Sequence, residues 1–114
     1  MLAKVNLLDA ANGVKGLYLY EKIGRFNGNV FNVVQVENRT LDFHVHENSD
    51  ELFLILEGNM RLESDDGILP LGAGEMVIVP RGVRHRPIIT GRVKLMLADL
   101  EGTLNKDNSV SPDE

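Results

Sequence analysis

The sequence predicts an all-β fold, a single jelly-roll barrel or β-sandwich with a short helical turn near the N-terminus. Short runs of alternating apolar and polar residues recur along the chain, separated by Gly, Asn, Asp and Pro. This pattern is typical of strands joined by turns, and no long helix interrupts it. At 114 residues, with 43% apolar and 25% charged residues, the chain can fill one hydrophobic core and no more.

The elements follow in a simple order. One helical turn is predicted at residues 7–12, before Gly13. Strands are predicted at 17–23, 29–37, 39–46, 50–57, 59–64, 67–71, 75–79, 84–89 and 92–100. Tight hairpin turns are predicted at residues 57–59 and 64–67, because Gly, Asn and Asp tolerate positive φ. Residues 1–104 are expected to form the domain, and the polar segment 105–114 to be a loosely ordered tail.

Composition excludes several classes of protein. The net charge of −5 argues against nucleic acid as a partner, because phosphate binding needs a basic surface. Without cysteine the chain has no disulfides and no thiolate chemistry. No apolar stretch approaches the ~18 residues of a membrane span, so we expect no membrane contact and a cytoplasmic location.

All three histidines lie in two short motifs. His44 and His46 share one face of an extended strand, because side chains two residues apart project the same way. Glu51 follows after four residues, and His85 can arrive from another strand. Three imidazoles and one carboxylate suit a divalent first-row transition metal and leave coordination positions free for water or substrate.

A lone histidine in a strand is usually a tolerated polar residue, but this pattern is longer. It runs HxH, four residues, Glu, six residues, Gly58, and then G-x5-P-x-G-x2-H from Gly74 to His85. The residues at these spacings, over 38–89, resemble the two motifs of the cupin superfamily, and in particular its small single-domain bacterial members. Two positions depart from the family pattern: Asn38 stands where a glycine is usual, and Ile89 where an asparagine is frequent.

The resemblance implies a double-stranded β-helix, the cupin form of the jelly-roll barrel. It also implies that one divalent ion of iron, manganese, nickel or zinc is bound. The ligand positions of the family fall on four residues of this chain, which are His44, His46, Glu51 and His85. Asp50 competes with Glu51 for the carboxylate position, but only Glu51 has the family spacing.

Several residues around the metal motifs are candidates for the substrate site. Arg84 and Arg86 flank His85 and, with Phe53, are expected to form a rim that attracts a carboxylate or phosphate. The alternative is that these arginines cover a solvated strand edge. Glu51 could leave the metal and act as an acid or base.

Strand 50–57 is apolar on both faces, so its outer face must also be covered. A second sheet of the barrel or a partner subunit could cover it. Because cupins of this size are often dimers, we expect a homodimer.

The leading hypothesis for function is a small metal-dependent enzyme with dioxygenase, decarboxylase or isomerase-type chemistry, acting on a small organic molecule inside the barrel. The alternative is a non-catalytic protein that binds or senses a small molecule, with a structural or ligand-capturing metal. A metal-free epimerase or isomerase with a histidine base ranks third, because such cupins commonly lack the full ligand set.

Overall fold

The computed structural model describes residues 1–103, which form one short helix and seven strands. These elements are α1 (Leu7–Asn12), β1 (Glu21–Phe26), β2 (Asn29–Thr40), β3 (Glu51–Glu57), β4 (Asn59–Ser64), β5 (Gly67–Gly72), β6 (Met76–Val79) and β7 (His85–Leu100). The all-β prediction and the helical turn at residues 7–12 are confirmed. The predicted tail, 105–114, lies outside the described residues.

All strand pairs are antiparallel. Strand β7 pairs with β2, β3 and β4, and so connects the two layers of the barrel, one containing β4 and the other β3. Strands are hydrogen-bonded in the order β1-β2-β7-β3-β6, while β4 pairs with β5 and β7. The first part of β7 pairs with β4 and the part after Gly91 pairs with β3, while β2 pairs with both parts. A single strand therefore passes from one layer to the other, where the sequence predicts two separate strands.

The chain bends between layers at a bulge shared by β2 and β7. The pairing shifts register between Glu37 and Arg39, and both Asn38 (φ 44°) and Gly91 (φ 76°) have left-handed backbone conformations there. Strand β2 ends at Thr40, so the predicted strand 39–46 is wrong. Residues 41–50 are irregular apart from one bridge, between His44 and His85.

Two further sequence predictions need correction. Residues 57–59 do not form a hairpin, because β3 and β4 pair with other strands; Gly58 turns the chain between layers. Its φ of 94° and its closeness to the Arg92 carbonyl, 2.5 Å from where a Cβ would lie, require glycine. The predicted strand 17–23 begins only at Glu21, after Tyr18, whose φ of 60° is incompatible with a strand. The hairpin at residues 64–67 is confirmed.

The core has two parts, separated by the sheet. The barrel interior is packed with aliphatic side chains and Phe53, while helix α1 lies on the outside, with Ala11 packed near Val33 and Met96. The Asn6 side chain caps this helix by accepting a hydrogen bond from the Asp9 amide at 2.9 Å. Among residues 1–103, no helix is long and apolar enough to cross a membrane.

Candidate metal centre

The structure brings the four predicted ligands together at one end of the barrel interior. Nitrogen or oxygen atoms of His44, His46, Glu51 and His85 all lie within 4.8 Å of one another, a group that could hold a metal ion. The Glu51 carboxylate is central, with its Oε1 atom 3.0 Å from Nε2 of His85 and 3.5 Å from Nε2 of His46.

Different parts of the backbone position these side chains. Glu51 begins β3 and His85 begins β7, and both are buried, with exposed fractions of 3% and 1%. His44 and His46 lie in the irregular segment 41–50 and are half-buried. Two amide–carbonyl bonds of 3.0 Å join His44 to His85, and the Gly82 amide donates to the His46 carbonyl at 2.9 Å.

Hydrogen bonds to the backbone fix the tautomer of two imidazoles. Nδ1 of His44 lies 2.9 Å from the Asp42 carbonyl, and Nδ1 of His85 lies 2.8 Å from the Val83 carbonyl. A carbonyl oxygen only accepts, so each Nδ1 carries the proton and donates it. The lone pair is then on Nε2 of each neutral ring, which is the arrangement found in metal-bound histidines.

The contact between His85 and Glu51 shifts the pKa values of both groups. Burial by itself disfavours the Glu51 carboxylate, but hydrogen bonds from His46 and His85 outweigh it and lower its pKa to about 2. Burial also opposes a charge on His85, yet the bond to Glu51 raises the pKa of that imidazole. Burial lowers the pKa of His44. The directions of the two pKa shifts indicate that a positive charge is favoured beside the Glu51 carboxylate.

A cavity of about 420 Å³ opens next to this group. Its walls combine three of the four candidate metal-site residues with an arginine, a tyrosine and several apolar side chains. They are Tyr20, Arg39, Leu41, Asp42, His44, His46, Glu51, Phe53, Pro87, Leu97 and Thr103. Burial, together with the charges of Glu51 and Asp99, raises the pKa of Tyr20, so its phenol stays protonated. The cavity therefore offers both polar donors and an apolar wall to a small organic molecule.

Of the three residues predicted for the rim of this cavity, one lines the cavity and two do not. Phe53 lines the cavity, but the described lining includes neither Arg84 nor Arg86. Both guanidinium groups lie over the Phe43 ring, at 3.7 and 4.3 Å from its centroid. Arg84 also pairs with Asp65, and Arg86 with Glu63. Both arginines therefore lie outside the described cavity lining, and Arg86 is on a strand that pairs with β4, so it does not lie on a free strand edge.

Asp50, the competing carboxylate, has a different role. Its Oδ1 accepts a hydrogen bond from the Arg81 amide at 2.9 Å, and the Arg81 side chain lies 3.5 Å from it. Asp50 is exposed and is not part of the four-residue group. It therefore supports the turn at Arg81 and Gly82 that precedes His85.

Both departures from the family motif are accommodated locally. Asn38 adopts the positive φ that a glycine would otherwise supply, and its Oδ1 accepts from the Gly91 amide at 2.6 Å. Ile89 is 5% exposed and packs in the barrel interior. Neither Asn38 nor Ile89 is in the described lining of the cavity beside the four candidate ligands.

Arg39 lines the cavity, and the sequence analysis missed it. Strand alternation counted back from His44 places Arg39 on the opposite face. The bulge at Asn38 and the irregular segment after Thr40 interrupt that alternation. No feature of the sequence reveals this interruption except the asparagine at a position where related motifs have glycine.

The family model described as "Cupin domain" matches residues 32–100. A Bacillus subtilis (strain 168) protein, YdbB, is 34% identical over 82 residues, which is 71% of this chain and 72% of YdbB. A cupin-2 domain protein from Shewanella frigidimarina superposes with a TM-score of 0.76 at 30% identity, covering 82% of this chain and 91% of that one. Protein NMB1881 from Neisseria meningitidis gives 0.75 at 30% identity, with coverages of 86% and 99%.

Proposed function

Because the chain belongs to the cupin family, we propose that it is a metal-binding cupin and a small metal-dependent enzyme acting on a small organic molecule. His44, His46, Glu51 and His85 would hold one divalent ion of iron, manganese, nickel or zinc. The supporting observation is the convergence of these four donors beside a cavity, with two imidazoles already fixed in the metal-binding tautomer.

An ion held by these four residues would keep coordination positions free for a substrate. An iron(II) ion there would supply dioxygenase chemistry, and manganese, nickel or zinc would supply Lewis-acid chemistry for decarboxylation or isomerisation. The protein's own contribution would be to bind and orient the substrate. Tyr20 would donate a hydrogen bond from its protonated phenol, and Phe53 and Leu97 would exclude water from one side.

Elemental analysis of protein purified without chelators or an affinity tag tests the metal site. We expect one transition-metal ion per chain, absent from a His46→Ala variant. Asp50→Ala is the matched control, because Asp50 is adjacent to Glu51 in sequence yet bonds to Arg81. A wild-type protein that carries no metal and takes up none on reconstitution would contradict the proposal.

A non-catalytic protein that binds or senses a small molecule is the second candidate. It is favoured by the scarcity of acid–base groups: apart from Glu51, Asp42 is the one carboxylate in the described lining, and it is exposed. The two candidates differ in turnover. Conversion of any substrate by the metal-loaded protein supports the enzyme. Binding without conversion across a broad substrate panel supports the sensor, and a large loss of thermal stability on chelation supports a structural ion.

We also propose that the chain forms a homodimer through the outer face of β3 and β6. Leu52, Leu54 and Leu56 are only half-buried there, although α1 covers part of the face. On the neighbouring edge strand β6, Met76 and Ile78 are 57% and 51% exposed. This edge can pair with a second copy around a two-fold axis.

Light scattering after size exclusion tests the dimer. Ile78→Glu should give a monomer, whereas Ile68→Glu, at an equally exposed position on β5, should leave the dimer intact. A monomeric wild-type protein would refute the proposed interface.

A further inference from the structure

Arg39 differs from most other arginines of the chain in having no ion-pair partner among residues 1–103. Five arginines each pair with a carboxylate: Arg25 with Glu101, Arg81 with Asp50, Arg84 with Asp65, Arg86 with Glu63, and Arg92 with Glu37. Arg61, like Arg39, has no such pair in the described residues, but it lies in a separate groove beside β4. Arg39 lines the cavity next to the candidate metal centre.

The guanidinium of Arg39 is held in place by an aromatic ring instead of by a carboxylate. It lies over the Tyr18 ring, 5.1 Å from the centroid. The Tyr18 hydroxyl donates to the Glu37 carbonyl at 2.9 Å, and the Tyr18 amide donates to the Gln35 carbonyl at 2.8 Å. These bonds fix the ring, so the stacked guanidinium loses little freedom when a ligand binds.

The backbone of Tyr18 is strained in the conformation that places this ring. Its φ is 60°, a left-handed value that is rare for an aromatic residue and costs energy. The hydrogen bonds of Tyr18 to β2 maintain it. Strained backbone conformations cluster at ligand-binding sites, and this one supports an arginine at the cavity wall.

From these observations we infer that the cavity takes a small carboxylate-bearing molecule, with the carboxylate on Arg39 and the rest of the ligand directed towards the metal centre. The planar guanidinium can bind both carboxylate oxygens at once. The substrate of the proposed enzyme would thus be a carboxylate, and the role of the metal in this inference rests on the proposed function.

The charges of the site are compatible with an anion. The Glu51 carboxylate faces the imidazoles of His85 and His46, at 3.0 and 3.5 Å, and Asp42 is exposed to solvent, where its charge is screened. Arg39 is the one lysine or arginine in the described lining. The apolar walls formed by Leu41, Phe53 and Leu97 would contact the carbon skeleton of the ligand.

The test compares two acids with their uncharged amides, benzoate with benzamide and levulinate with levulinamide. Calorimetric titrations are made on metal-free and on zinc-loaded protein, with metal content measured separately. For the wild-type protein we expect at least one acid to bind about tenfold more tightly than its amide. Arg39→Gln should remove this preference, and Arg39→Lys should retain part of it. Arg84→Gln, which changes an arginine outside the cavity lining, should retain it fully.

The outcomes separate this inference from the proposed function. A preference for the acid that depends on Arg39 in metal-free protein supports the inference, even if no native metal is found. A preference that appears only with zinc and survives Arg39→Gln overturns it, because the carboxylate would then bind the ion directly. A wild-type protein that binds none of these compounds, or binds acids and amides equally, also overturns it.

Discussion

The two halves of the candidate metal centre are built in different ways. Glu51 and His85 stand at the starts of strands, buried by the barrel core and fixed by sheet pairing. His44 and His46 lie on the irregular segment 41–50, half-buried, and are held by a few backbone bonds. The inner half, Glu51 and His85, therefore depends on the fold as a whole. The outer half, His44 and His46, depends on local contacts that single substitutions can remove.

Removing one histidine from each half should separate their effects on stability. In metal-free protein, His85→Ala leaves the buried Glu51 carboxylate without its 3.0 Å partner, so we expect a loss of about 3 kcal/mol. His46→Ala should cost less than about 1 kcal/mol, because this side chain is 19% exposed and lies 3.5 Å from Glu51. Urea denaturation followed by circular dichroism measures both losses.

The double variant Glu51→Gln/His85→Ala is the control for this comparison. A neutral amide tolerates burial better than an unpaired carboxylate, so it should recover much of the stability lost in His85→Ala. If the two single variants lose equal stability, the two halves do not differ in the way that their burial indicates.

The pH dependence of metal affinity should also distinguish His85, in the inner half, from His44, in the outer half. The pKa of His85 is raised above its ordinary 6.5, so protons compete with metal from above that pH, whereas His44, with its lowered pKa, stays neutral further down. Affinity for zinc should therefore fall as the pH drops from about 8 to about 6, approaching about tenfold per unit once the pH is below the pKa of His85. Competition titrations measure it, and affinity that stays flat over this range would contradict ligation by His85.

The same shifts determine how the His85–Glu51 pair stabilises the metal-free protein. Because the pKa of His85 is raised, its contribution to the free energy of unfolding is fully present below pH 6.5 and is lost as the pH rises through the pKa of the folded state. Because the pKa of Glu51 is lowered, its contribution to the free energy of unfolding is fully present above pH 4.5 and is lost as the pH falls towards about 2. The stabilisation by this pair should thus be greatest between these two ordinary values. His85→Gln should remove the part that is lost at high pH and only reduce the part that is lost at low pH, because His46 also bonds to Glu51. Denaturation across the pH range tests this.

Sequence reasoning predicted the convergence of the four candidate ligands better than the walls of the cavity. The structure brings together the four side chains whose spacing predicted a common site, which are His44, His46, Glu51 and His85. This prediction was possible because the glycines and the proline at the turns of the two motifs specify local geometry. Arg39 was missed because strand alternation fails at a bulge, and the bulge depends on pairing with distant Gly91. Gly58 was misassigned for a similar reason: a positive φ marks both hairpins and corners, and only the contact with Arg92 distinguishes them.

A smaller effect than that of His85→Ala is predicted at the bulge from which the outer half begins. Asn38 has φ 44° and accepts the Gly91 amide at 2.6 Å. Asn38→Gly keeps the backbone conformation and loses the bond, so we expect a loss of about 0.5–1 kcal/mol. Asn38→Ala adds backbone strain to the lost bond and should cost about 1 kcal/mol more. Thermal denaturation of metal-free protein gives the order of the three stabilities.

Asn27 provides the matched control, since it has a similar φ of 50° in the β1–β2 turn and its side chain makes no hydrogen bond among residues 1–103. Asn27→Gly should be neutral or slightly stabilising, so its difference from Asn38→Gly isolates the bond to Gly91. If that bond also fixes the start of segment 41–50, Asn38→Ala should weaken zinc binding while Asn27→Ala does not. Equal effects at the two positions would mean that the outer half is held by the His44 and His46 backbone bonds alone, independently of the bulge.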